Sequence, residues 1–166
     1  NIMNEQGEVD LPQTLLKEMD IAIASMHTPC YEGEKTTEKI TQAYLKVMEN
    51  EYVDIIGHPD DGRFPADYKE LAKAAKRTHT LLEVNNSSLR PTGFRVNTQE
   101  NCLKMLKACK EEGAMIVLGS DSHVDVDIAN YQYAAELVKK ADFPEELVAN
   151  SSLEKLKASL KRNKKV

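Results

Sequence analysis

The chain has 166 residues, a length typical of a single domain with room for a hydrophobic core. Hydrophobic residues make up 41% of it and charged residues 30%, which excludes the low-complexity and disordered classes. Asp and Glu outnumber Lys and Arg by 27 to 22, and the formal charge of -5 argues against a nucleic-acid-binding protein.

The predicted elements alternate between helices and strands along the whole chain. Four β-rich apolar runs of strand length recur, at 20–27, 52–58, 80–85 and 114–120. Segments with helical period lie before, between and after them, at 11–19, 37–49, 66–77, 99–112, 128–140 and from Ser151 onwards. This alternation predicts an α/β fold in which the strands form a parallel sheet.

The C-terminal stretch at 155–165 is rich in Lys and Arg. Such a run is typical of a solvated helix end, because cations interact favourably with the negative end of the helix dipole. We therefore expect this stretch to be an exposed helix terminus.

The three cysteines, Cys30, Cys102 and Cys109, are odd in number and lack CxxC spacing. This pattern predicts neither a disulfide framework nor a zinc knuckle, and it fits a protein of the reducing cytoplasm. No apolar run approaches the roughly 20 residues that span a bilayer, so no membrane partner is expected.

Polar side chains with metal-binding or catalytic potential follow the predicted strands. His27 ends the first strand, His58 the second and Asn85 the third, while Asp121 and His123 follow the fourth. The carboxyl ends of parallel strands meet at one edge of a sheet, where α/β proteins build their sites. One histidine alone is more often a buried, hydrogen-bonded core residue, but three histidines with a carboxylate favour a site for zinc, manganese or iron.

Three carboxylates near this edge have less definite roles. Glu83 alternates in phase with Asn85 on an apolar strand, and it is either a core ion-pair partner or a support of the site. Asp60 and Asp61 belong to GHPDDG, where turn-forming residues predict a turn rather than metal ligation.

The loop after the third predicted strand, NSSLRPTGFRVNTQEN, carries Arg90 and Arg95. A loop at the catalytic edge with arginine, serine and asparagine can clamp an anion, although an exposed loop arginine commonly has no specific partner. The sequence leaves both interpretations open.

The motifs MHTP, IIGHPD, LEVNNSSL and LGSDSH, in that order, resemble the C-terminal part of the PHP (polymerase and histidinol phosphatase) superfamily, especially its small stand-alone hydrolases. The resemblance covers nearly all of the chain. It implies a distorted seven-stranded β/α barrel with up to three metal ions, zinc, manganese or iron, at the carboxyl edge. It also implies a phosphatase-type hydrolase that uses metal-activated water to attack a phosphate ester.

By this resemblance, His27 and His58 would ligate one metal ion, Asp121 another and His123 a third. Asp121 and His123 would also be the catalytic residues. Asn85 and Arg95 would face a small phosphorylated substrate, with Arg95 holding the oxygens that are not transferred.

The first part of the PHP pattern has no counterpart in the chain: its opening HxH motif, its next histidine motif and its bridging Glu are missing. Four strands cannot close a barrel. We therefore expect residues 1–166 to be a single partial PHP-type domain that needs an N-terminal segment or a swapped oligomer, and to be inactive in isolation. The alternatives are another metal-dependent β/α-barrel hydrolase, such as an amidohydrolase, and a non-catalytic PHP module.

Overall fold

The computed structural model describes residues 1–164 as helices packed against a small sheet. The strands are β1 (Ile23–Ser25), β2 (Ile55–Gly57), β3 (Leu81–Asn85) and β4 (Ile116–Gly119). The α-helices are α1 (Gln13–Leu16), α2 (Thr37–Met48), α3 (Tyr68–Thr78), α4 (Thr98–Glu112), α5 (Gln132–Lys140) and α6 (Leu153–Ser159). Short 3-10 turns lie at Asp125–Asp127, Glu145–Leu147, Ala149–Ser151 and Lys161–Lys164.

The sheet is parallel throughout, in the order β1-β2-β3-β4. The crossovers from β1 to β2, β2 to β3 and β3 to β4 pass through α2, α3 and α4, as expected when parallel neighbours are joined by helices. The predicted α/β fold with a parallel sheet is therefore confirmed. All four strands place their carboxyl ends at the same edge, and this positions the site.

The long helices begin and end at residues suited to those positions. The Thr36 hydroxyl caps α2 by accepting from the Lys39 N–H, and the Asp67 carboxylate caps α3. At the other end, α3 stops at His79 (φ 56°) and α4 at Gly113 (φ 70°), both in the left-handed conformation that terminates helices. These ends direct the chain into β3 and β4.

The sheet is covered on both faces. Alternate strand residues, among them Ile56, Leu82 and Val84, pack into the main core against α2, α3 and α4. The intervening residues, such as Leu81 and Val117, form a smaller cluster with Ala149, Leu160 and their neighbours. The C-terminal segment therefore covers the second face.

The helix expected at 128–140 begins later, at Gln132, and the prediction for its first residues is wrong. The segment before α5 contains the Asp125–Asp127 turn and Ala129 with φ 61°. A left-handed alanine cannot lie inside an α-helix, and the apolar residues here are exposed rather than packed on the core.

The expectation of a solvated helix end at 155–165 is also wrong in part, because α6 ends at Ser159 and the chain continues as the 3-10 turn Lys161–Lys164. The Arg162 guanidinium donates to the buried Asp54 carboxylate and to the carbonyl oxygens of Tyr52 and Met19. Such a partner stabilises an ionised carboxylate that is removed from water, and sequence periodicity does not reveal the pairing. Lys165 lies outside the described residues.

Among the described helices, none is both long and apolar enough to cross a bilayer. Cys30 is half-buried, Cys102 and Cys109 are buried, and all three are free thiols.

Candidate active site

His27 and His58 meet at the carboxyl edge of the sheet. His27 follows β1 by two residues and His58 directly follows β2. Their Nε2 atoms are 3.2 Å apart, and the His27 Nδ1 lies 2.7 Å from the Asn1 Oδ1. The two imidazoles predicted to share a metal ion thus point their Nε2 atoms at the same small volume.

Both imidazoles favour the neutral form. Burial lowers the pKa of His58 to about 4, and the positive charge of Arg95 and the neighbouring His27 add to the effect. Burial is also the main reason why the pKa of His27 is lowered, and Arg95 again contributes. Neutral imidazole is the form that binds metal ions, so the pair is in its ligating state at pH 7.

The separation of the two Nε2 atoms fits two ligands of one ion. With Zn–N bonds of about 2.0–2.1 Å, tetrahedral geometry places two ligating nitrogens roughly 3.4 Å apart, close to the 3.2 Å observed. Within residues 1–164, however, no group of three or more His, Cys, Asp or Glu side chains is placed to hold a metal ion. The described residues therefore fit part of a coordination shell.

Glu83 supports the backbone that carries His58. Its Oε2 accepts hydrogen bonds from the His58 N–H at 2.7 Å and the Asn85 amide at 3.1 Å. A Cβ at Gly119 would lie 1.8 Å from the Glu83 Oε1, so β4 approaches this carboxylate only because it has glycine there. Within the described chain no salt bridge reaches Glu83, which favours the site-support interpretation over a core ion pair.

Two residues at the strand ends have unusual backbone geometry. His58 has φ 34° and Asp121 has φ 50°, a region that non-glycine residues seldom occupy. Such conformations cost about 1–3 kcal/mol each and persist where surrounding contacts hold them. Here the Glu83 carboxylate holds the His58 N–H, and Arg95 holds the Asp121 carboxylate.

Arg95 is the cation of the site, and its side chain is only 5% exposed. One of its terminal nitrogens, Nη1, lies 3.1 Å from the Asp121 Oδ2, 3.1 Å from the Ser88 Oγ and 3.4 Å from the Asn85 Oδ1. Its buried Nε has no hydrogen-bond partner among residues 1–164 and lies 3.9 Å from the Asp61 Oδ2. The loop that the sequence assigned to a possible anion clamp thus carries a buried, preorganised guanidinium.

Asn85 lies next to the Arg95 guanidinium and is almost fully buried. Its Oδ1 accepts from the Ser88 N–H at 2.8 Å and faces Arg95, and its Nδ2 donates to Glu83. The amide therefore connects Glu83 and Arg95.

Asp121 is partly exposed beside Arg95. Burial alone would raise its pKa, but the charge and the hydrogen bond of Arg95 outweigh burial and leave the pKa below the ordinary value. His123 is exposed, with its Nδ1 3.0 Å from the Asp121 carbonyl oxygen. No hydrogen bond between described residues joins His123 to His27 or His58.

The GHPDDG turn is buried, which the sequence did not predict. The turn is present, with the Asp61 N–H donating to the His58 carbonyl oxygen. Asp61 forms an ion pair with Arg63. Asp60 is fully buried, neither of its carboxylate oxygens has a hydrogen-bond partner in the described part of the chain, and burial raises its pKa to about 7. Two adjacent acids in a turn give no signal of burial, because turns are usually exposed.

No protein-family model matches the chain. It is 41% identical over 165 residues to a protein named probable phosphatase from Thermoanaerobacter sp. (strain X514), covering 99% of this chain and 66% of that protein. It is 42% identical over 166 residues to a probable phosphatase from Clostridium novyi (strain NT), covering 100% of this chain and 67% of that protein. The chain thus spans about two thirds of the length of these curated relatives.

A solved structure is similar in fold. The crystal structure of histidinol phosphate phosphatase from Lactococcus lactis subsp. lactis, complexed with zinc, L-histidinol and phosphate, superposes with a TM-score of 0.55 at 22% identity. The match covers 79% of this chain and 60% of that protein. At this identity the likeness concerns the arrangement of helices and strands.

Proposed function

The chain belongs to the family of these probable phosphatases, and we propose that it is part of a metal-dependent phosphoesterase that hydrolyses a small phosphorylated substrate. The observation that carries this proposal is the placement of two neutral imidazoles, His27 and His58, at the same sheet edge as the Arg95–Asp121 ion pair. Imidazole nitrogens suit a divalent ion, and a preorganised guanidinium suits a phosphate.

The family we propose is the PHP superfamily. The names of the relatives and the fold of the histidinol phosphate phosphatase support it. Residues 1–166 would then form one partial domain, contributing four parallel strands to a distorted seven-stranded barrel. About one third of the length of these relatives has no match in this chain, and the corresponding segment would supply the remaining strands and metal ligands. Alternatively, a second copy of the chain would supply them in a swapped oligomer. The free thiols fit a cytoplasmic protein.

His27 and His58 would together hold one divalent ion through their Nε2 atoms. Asp121 and His123 would ligate further ions, up to three in the complete protein, and zinc, manganese and iron all suit these donors. The zinc in the crystal structure of the histidinol phosphate phosphatase supports this choice. When bound, such ions supply Lewis-acid activation of water and of the phosphate ester.

The chain's own residues bind and orient the substrate. Arg95 would hold the non-transferred phosphate oxygens with N–H groups that now face Asp121 and Ser88. Asn85 would act mainly by positioning Arg95, because its oxygen faces the guanidinium from a buried site. Glu83 would fix the His58 backbone, and hence the direction of its imidazole.

The test is Asp121→Ala in the complete protein, with hydrolysis of phosphomonoesters as the readout. Asp142→Ala is a matched control, because Asp142 also has a positive φ (48°) and forms a 3.1 Å ion pair, with Lys110, away from the site. We expect the Asp121 variant to fold and to lose turnover, and to unfold at a lower temperature than the control, because the buried Arg95 guanidinium loses its carboxylate partner. Full activity of the Asp121 variant would contradict the proposal.

A panel of phosphomonoesters and amides separates the alternatives. Hydrolysis of amides alone would indicate an amidohydrolase-like barrel enzyme. Stoichiometric metal without hydrolysis of either class would indicate a non-catalytic module. Arg95 favours the phosphate substrate, because a neutral amide has no negative charge to match a buried guanidinium.

A further inference from the structure

The His27 ring nitrogen that is not a proposed metal ligand, Nδ1, has a side-chain partner. It lies 2.7 Å from the Asn1 Oδ1. The Nδ2 of the same Asn1 amide lies 2.5 Å from the Asp10 Oδ2. These two contacts link a carboxylate, an amide and an imidazole in series, and the proposed function gives no role to the first two groups.

The backbone holds Asn1 and Asp10 in place beside β1. The Asp10 N–H donates to the Asn1 carbonyl oxygen at 3.2 Å. Ile2, the next residue along the chain, is fully buried, and its N–H donates to the Ser25 carbonyl oxygen in β1 at 2.9 Å. The Asn1 amide is therefore presented to His27 by a turn that is attached to the sheet.

The chemistry of Asp10 decides which way round the Asn1 amide lies. An ionised carboxylate only accepts hydrogen bonds, so the amide turns its NH₂ group toward Asp10 and its oxygen toward His27. An amide oxygen also only accepts, so the proton of the neutral His27 ring lies on Nδ1. The Nε2 lone pair is then free, and it faces the small volume shared with the His58 Nε2.

His58 has no comparable partner. Its Nδ1 is buried without a hydrogen-bond partner among residues 1–164, and Glu83 holds its backbone N–H rather than its ring. Of the two proposed ligands, only His27 contacts the Asn1 amide within the described chain. An effect of Asn1 on metal binding would therefore pass through His27.

We propose that Asn1 is a positioning residue, oriented by Asp10, that holds His27 in the tautomer whose Nε2 can bind a metal ion. This inference rests on the proposed function, because the ion is the one proposed at His27 and His58. The hydrogen bond at one ring nitrogen sets which nitrogen of a histidine carries the proton. Partners of this kind typically change metal affinity by about 10- to 100-fold.

The experiment uses the complete protein and three variants of it. Asn1→Leu removes the amide and keeps a side chain of similar size. Asn1→Asp combined with Asp10→Asn exchanges the two groups, so that a carboxylate accepts from the His27 Nδ1–H and an amide supports it. Asn4→Leu is the matched control, because the Asn4 amide donates to the Glu8 carboxylate at 2.7 Å in the same turn, and no hydrogen bond between described residues joins it to His27.

The first readout is the NMR spectrum of the imidazole nitrogens in the metal-free protein, with the His27 signals identified by their loss in His27→Gln. We expect the His27 proton on Nδ1 in the wild type, the exchange variant and Asn4→Leu. Asn1→Leu should instead show an increased population with the proton on Nε2, because the acceptor at Nδ1 is gone.

The second readout is zinc affinity, measured by competition with a chromophoric chelator. We expect Asn1→Leu to bind zinc about 10- to 100-fold more weakly. The exchange variant and Asn4→Leu should stay close to the wild type, because both keep an acceptor at the His27 Nδ1. An Asn1→Leu protein with the wild-type tautomer would overturn the inference. So would an exchange variant or a control that loses as much affinity as Asn1→Leu.

The two readouts together separate this inference from the proposed function. A tautomer change in Asn1→Leu, with no zinc bound by any form, would support the positioning of His27 and contradict the metal site. Zinc binding and phosphomonoester hydrolysis that Asn1→Leu leaves unchanged would overturn the inference and leave the phosphoesterase standing. No zinc binding and no tautomer change would contradict both.

Discussion

The Glu83 carboxylate is buried beneath the site and contacts the backbone of His58 and the amide of Asn85. Burial raises its pKa, and the hydrogen bonds from these two groups offset only part of the effect. The carboxylate serves as an acceptor that holds His58 in its left-handed conformation. Its negative charge is not needed for these two hydrogen bonds.

Glu83→Gln and Glu83→Ala should therefore differ in stability. The glutamine carbonyl can still accept from the His58 N–H, so the free energy of unfolding should stay close to the wild-type value. Alanine leaves that buried N–H unpaired, which costs about 1–3 kcal/mol. Urea unfolding of the complete protein with each substitution measures the difference. Equal stability of the two variants would show that the hydrogen bond to His58 contributes nothing.

Much of the site could be predicted at the residue scale. His27 and His58 follow β1 and β2, and Asn85 is the last residue of β3, so the parallel strand order alone brings them to one edge. The hydrogen bonds between side chains could not be predicted in this way. The contact between Asn85 and Arg95 depends on the conformation of an irregular loop, and the sequence of that loop has no periodicity that would predict it.

At the scale of elements, the bounds of α2 and β3 agree with the sequence prediction to within one residue. The sequence of α2 shows both a capping residue and an amphipathic period, and the sequence of β3 is an apolar run of strand length, so both were recognisable. The first strand, expected at 20–27, is only Ile23–Ser25. Of the strands that the structure describes, only β2 pairs with it, and an apolar run does not reveal how many neighbouring strands it will have.

The role of the C-terminal 3-10 turn, Lys161–Lys164, could not be predicted from the sequence. Arg162 binds Asp54, which is fully buried, and also reaches the carbonyl oxygen of Tyr52. Lys161 donates to the carbonyl oxygens of Met48 and Asn50. These bonds attach the chain end to the segment that leads into β2, at the edge opposite the site.

Arg162→Ala should be strongly destabilising, because it leaves the Asp54 charge buried without its cation, a change worth about 3–5 kcal/mol. Arg77→Ala is the matched control, since Arg77 forms an exposed pair with Glu49 that salt and water screen. Denaturant unfolding of both variants in the complete protein measures the loss. A destabilisation by Arg162→Ala no larger than that of the control would show that the turn is not anchored by Asp54.

At the scale of the whole molecule, the described residues leave one edge of the sheet largely unpaired and supply only part of the metal site that we propose. Among the described strands only β2 pairs with β1, a single backbone hydrogen bond from the Ile2 N–H reaches the Ser25 carbonyl oxygen, and the Ile21 and Ile23 side chains are exposed. An exposed apolar edge strand is prone to pairing with other chains. The relatives are about half as long again as the matched region, enough for the further strands and ligands that we propose.

The most direct test of the central claim is the metal content of the complete protein, measured by elemental analysis for the wild type and for a variant with His27→Ala and His58→Ala. We expect the wild type to hold divalent metal and hydrolyse phosphomonoesters, and the variant to lose at least one equivalent of metal together with the activity. A wild type that hydrolyses phosphomonoesters with no bound metal, or a variant that retains the full complement, would contradict a metal site at these two histidines.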